Sequence, residues 1–362
     1  MKRQLLALLA AAVLLLTGCS GVLNREFFSV TPHNAAPLDE ENPSMLRADS
    51  YQEIVNALMY LVAQGAEEGT IRVYLDHAKL ADFLAAARSE VVEEDPLGAY
   101  AVSEISYRST PLAECSQVEV AIRYRRTQEQ IADIVSVTGA AAIRGEFKAA
   151  LADFEPFCTL RLGYFDQDED YIRMLVRQAY YDDPASALDF PELEIQMCPD
   201  HGRQRIVELS MDYHLTPAQL EQRKQEVADA LVHLQRAVPF STNRHDLRPV
   251  AAIIRRRIVY LPDPALSTPW HALTMGKANS EGIALAFAAL CQKINIPCRV
   301  VDGTLNGESH FWNIVQTPEG WRHLDLTEPV ERPPLRMDVQ MDNTGYLWPE
   351  ELFPRCTYIP RT

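Results

Sequence analysis

Two stretches in the middle of the chain carry the same pattern of apolar and polar positions. In the first, Ile54, Leu58 and Leu61 recur at helical spacing, and in the second Phe147, Leu151 and Phe154 do the same. Each predicted helix leads into a short apolar strand, Ile71 to Leu75 or Leu160 to Tyr164. A second helix should end at Asp95-Pro96 or Asp183-Pro184, because the residue before proline is pushed out of helical space. Two strands follow, the second alternating through Val118, Val120, Ile122 and Tyr124 in the first stretch. Thr127 and Thr216 then stand where a helix N-cap belongs. The matched positions keep one offset: Val118-Glu119-Val120 with Val207-Glu208-Leu209, Tyr124 with Tyr213, Thr127 with Thr216, Gln130 with Gln219. That constancy predicts a duplicated α/β unit over about 47–137 and 138–238, each reading α-β-α-β-β plus a helix. No catalytic constellation is visible in this region, and His201 and His214 stand alone.

From about Asp246 the pattern changes. Leu247 to Tyr260 reads as a basic helix with Ile253, Ile254 and Val259 on its apolar side. Ile283, Phe287, Leu290 and Ile294 mark one buried face of a further helix that begins near Ser280. A hairpin comes next. His310, Trp312 and Ile314 alternate on one strand, Trp321, His323 and Asp325 on the other, with a turn around Thr317-Pro318-Glu319-Gly320. A turn centred on Thr317 and Pro318 would set His310 directly opposite Asp325, with β-carbons about 5 Å apart. A slip of one residue would put them on opposite faces.

The N-terminus adds an address. Met1-Lys2-Arg3 is basic, and the Leu5–Leu16 run is shorter than the roughly 20 apolar residues a bilayer span needs. It has the length of a signal-peptide core. Leu16-Thr17-Gly18-Cys19 resembles the bacterial lipobox, which implies cleavage after residue 18 and acylation of Cys19. Residues 19–46, rich in Pro, Asn and charge, read as a tether. The expectation is an extracytoplasmic protein lipid-anchored to a bacterial cell membrane, each buried methylene of the acyl chains contributing about 0.8 kcal/mol. Net charge is −16, which disfavours nucleic acid as a partner. Beyond Cys19 there are six cysteines, Cys115, Cys158, Cys198, Cys291, Cys298 and Cys356; their spacings match no zinc pattern. An even number outside the cytoplasm permits disulfides, and the alternative is that several are small buried apolar residues.

Three segments carry a family likeness: TPWHALTMGKANSEGIALAFAALCQKINIPCRVVDG, a short loop, and SHFWNIVQTPEGWRHLDLTEP. Over roughly 246–330 they resemble the transglutaminase-like superfamily of the papain-related fold. The resemblance implies an α+β domain, assigned to 239–362, with a nucleophile at the start of a buried helix and a His and an Asp on the following strands. Those positions are Ser280, His310 and Asp325. The departure is at Ser280, where the family pattern Cys-Glu-Gly-Tyr-Ala becomes Ser280-Glu281-Gly282-Ile283-Ala284. A thiol can wait as a thiolate beside imidazolium, whereas a hydroxyl must lose its proton during attack. Serine is also a good N-cap residue, which offers it a purely structural role. Whether the domain is an enzyme therefore stays open. The favoured expectation is a degenerate pseudoenzyme that binds or scaffolds a peptide, protein or cell-wall ligand. The alternative is an acyltransferase or amide hydrolase using Ser280, His310 and Asp325. Neither a cofactor nor a metal is expected, since no calcium loop is present. Cys291, about 16 Å along the helix from Ser280, is too far to replace it. His271 and Trp270 are expected to line or pack around the cleft, and a nucleophile elbow at Ser280 is discounted for want of a preceding strand.

Overall fold

The computed structural model describes residues 45–239, 247–328 and 334–357. The predicted signal segment, Cys19 and the tether as far as residue 44 lie outside the described residues. Among the described residues no helix is long and apolar enough to cross a membrane. Helices and sheets are mixed throughout, an α+β architecture.

The first sheet is built from β1 (Leu46–Ala48), β2 (Glu68–Val73), β3 (Val102–Pro111) and β4 (Ser116–Tyr124), in the order β1-β2-β4-β3. Helices α1 (Tyr51–Ala63), α2 (His77–Ser89) and α3 (Pro96–Ala101) fall between the strands, and α4 (Gln128–Ala132) follows them. Ile54, Leu58 and Leu61 of α1 pack with Ile71, Val118, Val120 and Ile122 in one core. The Asp95-Pro96 step does interrupt the helical run: Asp95 leaves helical space and its side chain caps α3 by accepting from Gly98 N.

A second sheet has the order β5-β6-β8-β7, made of β5 (Val135–Val137), β6 (Phe157–Leu162), β7 (Glu192–Cys198) and β8 (Arg205–Asp212). Between these strands lie α5 (Ala140–Ala152) and α6 (Glu169–Asp182), and α7 (Pro217–Ala237) comes after. Each sheet opens with a three-residue strand, β1 or β5, running parallel to its neighbour. These two strands were not expected, because three residues are too few for alternation to register. Thr127 and Thr216 both form capping boxes, with Gln130 and Gln219 answering them.

The described residues fall into two compact units. One runs up to Ile143 and adds Thr159–Asp168 and Ile195–Glu208; the other takes Arg144–Cys158, Glu169–Glu194 and the described residues from Leu209 onward. The second unit holds α8 (Arg248–Arg257), the short parallel pair β9 (Val259–Tyr260) and β10 (Lys277–Ala278), and α9 (Ser280–Lys293). It also holds an antiparallel sheet ordered β13-β12-β11-β14, from β11 (Cys298–Leu305), β12 (Glu308–Thr317), β13 (Gly320–Leu324) and β14 (Tyr346–Leu347), with α10 (Asp338–Asp342) before the last strand. Helix α9 is central to this unit. From Ser280 to Cys291 every residue except Glu281 is buried. The expected single apolar face understates it, because alanines fill the remaining positions and let neighbours close on all sides.

Candidate functional site

The start of α9 is set by Asn279, not by Ser280. The Asn279 side chain accepts from Gly282 N at 3.0 Å and donates to Asp263 O at 3.2 Å. Ser280 is therefore the first helical residue, and its expected capping role is corrected: with Asn279 in extended geometry beside it, its hydroxyl is turned elsewhere. That hydroxyl is buried and accepts from Phe311 N at 3.2 Å, which ties the helix start to β12. Gly282 is required by close approach. A β-carbon there would lie 2.9 Å from Leu266 O and from Thr268 O, so the 263–268 loop rests directly on the helix.

His310 and Asp325 meet. The imidazole Nε2 lies 2.7 Å from Asp325 Oδ2, with both residues buried. The hairpin register differs from the expected one by two residues. Thr317 pairs with Gly320 and Ile314 with His323, so the turn is centred on Pro318 and Glu319 and β13 ends with Leu324 opposite Asn313. A two-residue shift keeps every side chain on its face. His310 thus reaches Asp325 diagonally along one face, where the length of the imidazole spans the gap.

Asp325 is held by further donors. Thr327 gives Oδ1 its amide at 2.8 Å and its hydroxyl at 2.7 Å, and the Tyr346 hydroxyl gives Oδ2 a bond of 2.7 Å. Burial alone would push the Asp325 carboxyl up, but the hydrogen bonds and charge of His310 and the Thr327 donors outweigh it and hold it below the usual range. A carboxylate on Nε2 places the ring proton there and leaves Nδ1 with its lone pair, the arrangement a general base needs. Among the described residues no hydrogen bond joins Ser280 to His310.

His323, expected on the same strand face, belongs to a different cluster. It comes together with Asp338 and Cys356, their ligand atoms within 4.8 Å of one another. Trp312 Nε1 donates to His323 Nδ1 at 2.9 Å, and the opposite nitrogen lies 2.9 Å from Asp338 Oδ1. Indole N–H only donates, so Nδ1 must accept and Nε2 must carry the proton. A metal on Nε2 would need a ring stripped of both protons. The cluster therefore reads as a structural Trp–His–Asp chain.

Two neighbours of the site were invisible in the sequence. Tyr346 lies 21 residues beyond Asp325. Tyr181 of α6, 100 residues from its partner, donates to Glu281 at 2.8 Å, and its ring meets Phe311 with centroids 6.0 Å apart. Burial pushes the Glu281 carboxyl up to about 7 against the opposing Tyr181 bond and the Arg177 charge. Trp270 donates to Glu226 at 2.6 Å, and His271 bonds Thr268 at 2.8 Å on the loop over α9. Cys291 is fully buried, and its burial and Cys298 beside it push its thiol far up.

Residues 234–326 match the family model of the transglutaminase-like superfamily. The chain carries a transglutaminase-like domain. Among solved structures it is similar to a TGase, at 14% identity and TM-score 0.25, over 48% of this chain and 51% of that one. A proposed cysteine protease from Cytophaga hutchinsonii matches at 11% identity and TM-score 0.25, covering 40% and 65% respectively. Menin, whose structure revealed the binding site for the MLL protein, matches at 18% identity and TM-score 0.25, covering 33% and 30%. The chain spans less than two thirds of each of these structures. No curated protein matches it.

Proposed function

We propose that the transglutaminase-like domain is a binding or scaffolding module built on a disarmed acyl-transfer site, with Ser280 in the place of the nucleophile. One observation carries this reading. The Ser280 oxygen takes the Phe311 amide and, among the described residues, makes no hydrogen bond to His310, which supports a serine not engaged with the base. The ligand is a peptide, protein or cell-wall segment lying in the remaining cleft. A second reading, a Ser280–His310–Asp325 acyltransferase or amide hydrolase, is favoured by the buried 2.7 Å His310–Asp325 bond with its Thr327 and Tyr346 donors.

The chain is further read as a lipoprotein anchored through Cys19 outside the cytoplasm, on the strength of the lipobox-like Leu16-Thr17-Gly18-Cys19. Its middle is read as a duplicated unit, 47–137 and 138–238, ahead of a domain at 239–362. Support comes from one offset that repeats three times: β1 to β5, α1 to α5 and β2 to β6 each begin 89 residues apart, in sheets of the same strand order.

The test is to expose wild type, Ser280→Cys and His310→Ala to a p-nitrophenyl ester that leaves a mass tag. Acylation of Ser280→Cys alone supports the disarmed site. Acylation of wild type that disappears in His310→Ala overturns it in favour of the serine enzyme. Acylation of neither overturns the acyl-transfer geometry and favours a pure binding role.

A further inference from the structure

The second unit contains a cavity of about 350 Å³ between α6, β11 and the turn at 349–353. Four arginines line it, Arg144, Arg173, Arg177 and Arg299, against two carboxylates, Asp182 and Asp302. This local excess of positive charge stands in a chain of net charge −16. The arginines differ in how far the protein occupies them. Arg173 is spent on Glu169 and the Leu193 carbonyl, and Arg144 grips Asp182 and Gln178. Among the described residues Arg299 gives a single hydrogen bond, to Asp182 at 3.0 Å. There Arg177 gives only a long one, to the Tyr181 hydroxyl at 3.4 Å; it stands 3.8 Å from Asp302 and rests its guanidinium over the Phe190 ring at 4.7 Å, which leaves its N–H edge uncommitted. A guanidinium has five N–H donors in a planar fork. Arg177 and Arg299 thus keep most of their donors for something in the cavity. The other wall is apolar, with Val300, Leu352 and Phe353.

The cavity connects to the candidate site by two routes. Tyr181 lines it and bonds Glu281, the neighbour of Ser280, at 2.8 Å. Asp302 lines it and pairs across the sheet with Phe311, whose amide bonds Ser280, while the adjacent Gly303 pairs with His310.

We propose that this cavity is a recognition subsite for a carboxylate next to an apolar group, as in an acidic peptide segment whose backbone continues toward Ser280, with Arg177 and Arg299 as the receiving forks. This rests on the reading of the cleft as a peptide site and gives that ligand its charge and shape. A planar carboxylate suits bidentate guanidinium contact, and the apolar wall takes the adjoining side chain.

The test measures binding, so it is separable from whether residue 280 attacks an acyl group. The full chain is titrated calorimetrically with N-acetyl-Glu-Phe-amide and with its Gln counterpart. The expected result is at least a tenfold preference for the Glu peptide, reduced by 0.5 M salt. Arg177→Gln and Arg299→Gln should each abolish that preference, and Arg299→Lys should keep part of it. Circular dichroism checks that each variant folds, and one folded arginine variant is enough to decide between the outcomes. Equal binding of the two peptides, no binding of the Glu peptide at millimolar concentration, or a preference untouched in a folded arginine variant would overturn the proposal. Displacement of the Glu peptide by inorganic phosphate more strongly than by acetate would also overturn it, in favour of a phosphate-bearing ligand.

Discussion

Tyr346 and His310 share one oxygen: both approach Asp325 Oδ2 at 2.7 Å, one from the phenol and one from the imidazole. The carboxylate is thereby pinned from two elements, β12 and β14. Tyr346→Phe removes one donor from a buried anion and should cost about 1–3 kcal/mol. The variant's urea midpoint should fall, and its Asp325 carboxyl should titrate at higher pH by NMR. An unchanged midpoint would refute the pinning.

Gly282→Ala should be destabilising by about 1–3 kcal/mol, because the new methyl lies 2.9 Å from two carbonyl oxygens of the covering loop. Thermal unfolding measures it. Gly145→Ala is the control, since a β-carbon there meets nothing within 4 Å.

Glu281 is a carboxyl whose folded value is raised, to about 7. Between its ordinary value and about 7 the folded state holds the proton more tightly, so stability contributed by this group falls as pH rises through that window. Glu281→Gln keeps an acceptor for Tyr181 and removes the ionisation. It should be more stable than wild type at pH 8, by up to about 3 kcal/mol, and nearly equal at pH 4.5. Denaturation curves at both pH values decide it.

His323 behaves in the opposite sense. Burial holds its folded value below that of a free histidine, despite Asp338 beside it. Its share of stability is complete above the unfolded value near pH 6.5 and is lost as pH falls toward the folded one. A protonated ring would also oppose the Trp312 donor. In a Glu281→Gln background, which removes the opposing ionisation, urea resistance should fall between pH 7 and 5, and adding His323→Gln should make that fall smaller.

Much of this site could be read along the chain, because its chemistry is local to two strands and one helix start. The family likeness points to His310 and Asp325, and alternation sets them on one face, where they meet. The register was missed by two residues because alternation fixes the face and leaves the turn centre free, and Pro318-Glu319 took the loop. Capping is the structural alternative that sequence offers Ser280, but two good capping residues adjoin, and only geometry shows that Asn279 takes the role. Tyr181 could not be found, since α6 reaches Glu281 across 100 residues and carries no signal of that contact. The opening strands β1 and β5 were too short to show.

A last prediction concerns the two adjoining residues. Asn279→Ala should cost about 1 kcal/mol through the lost cap. Ser280→Cys should unfold at nearly the wild-type temperature in a calorimeter. A drop for the cysteine variant comparable to that of Asn279→Ala would contradict the assignment.

Asn279 thus divides labour at the head of α9. It starts the helix, and the next position is left without that duty. The side chain at 280 can therefore be chosen for what it presents to the site, because the start of the helix does not depend on it.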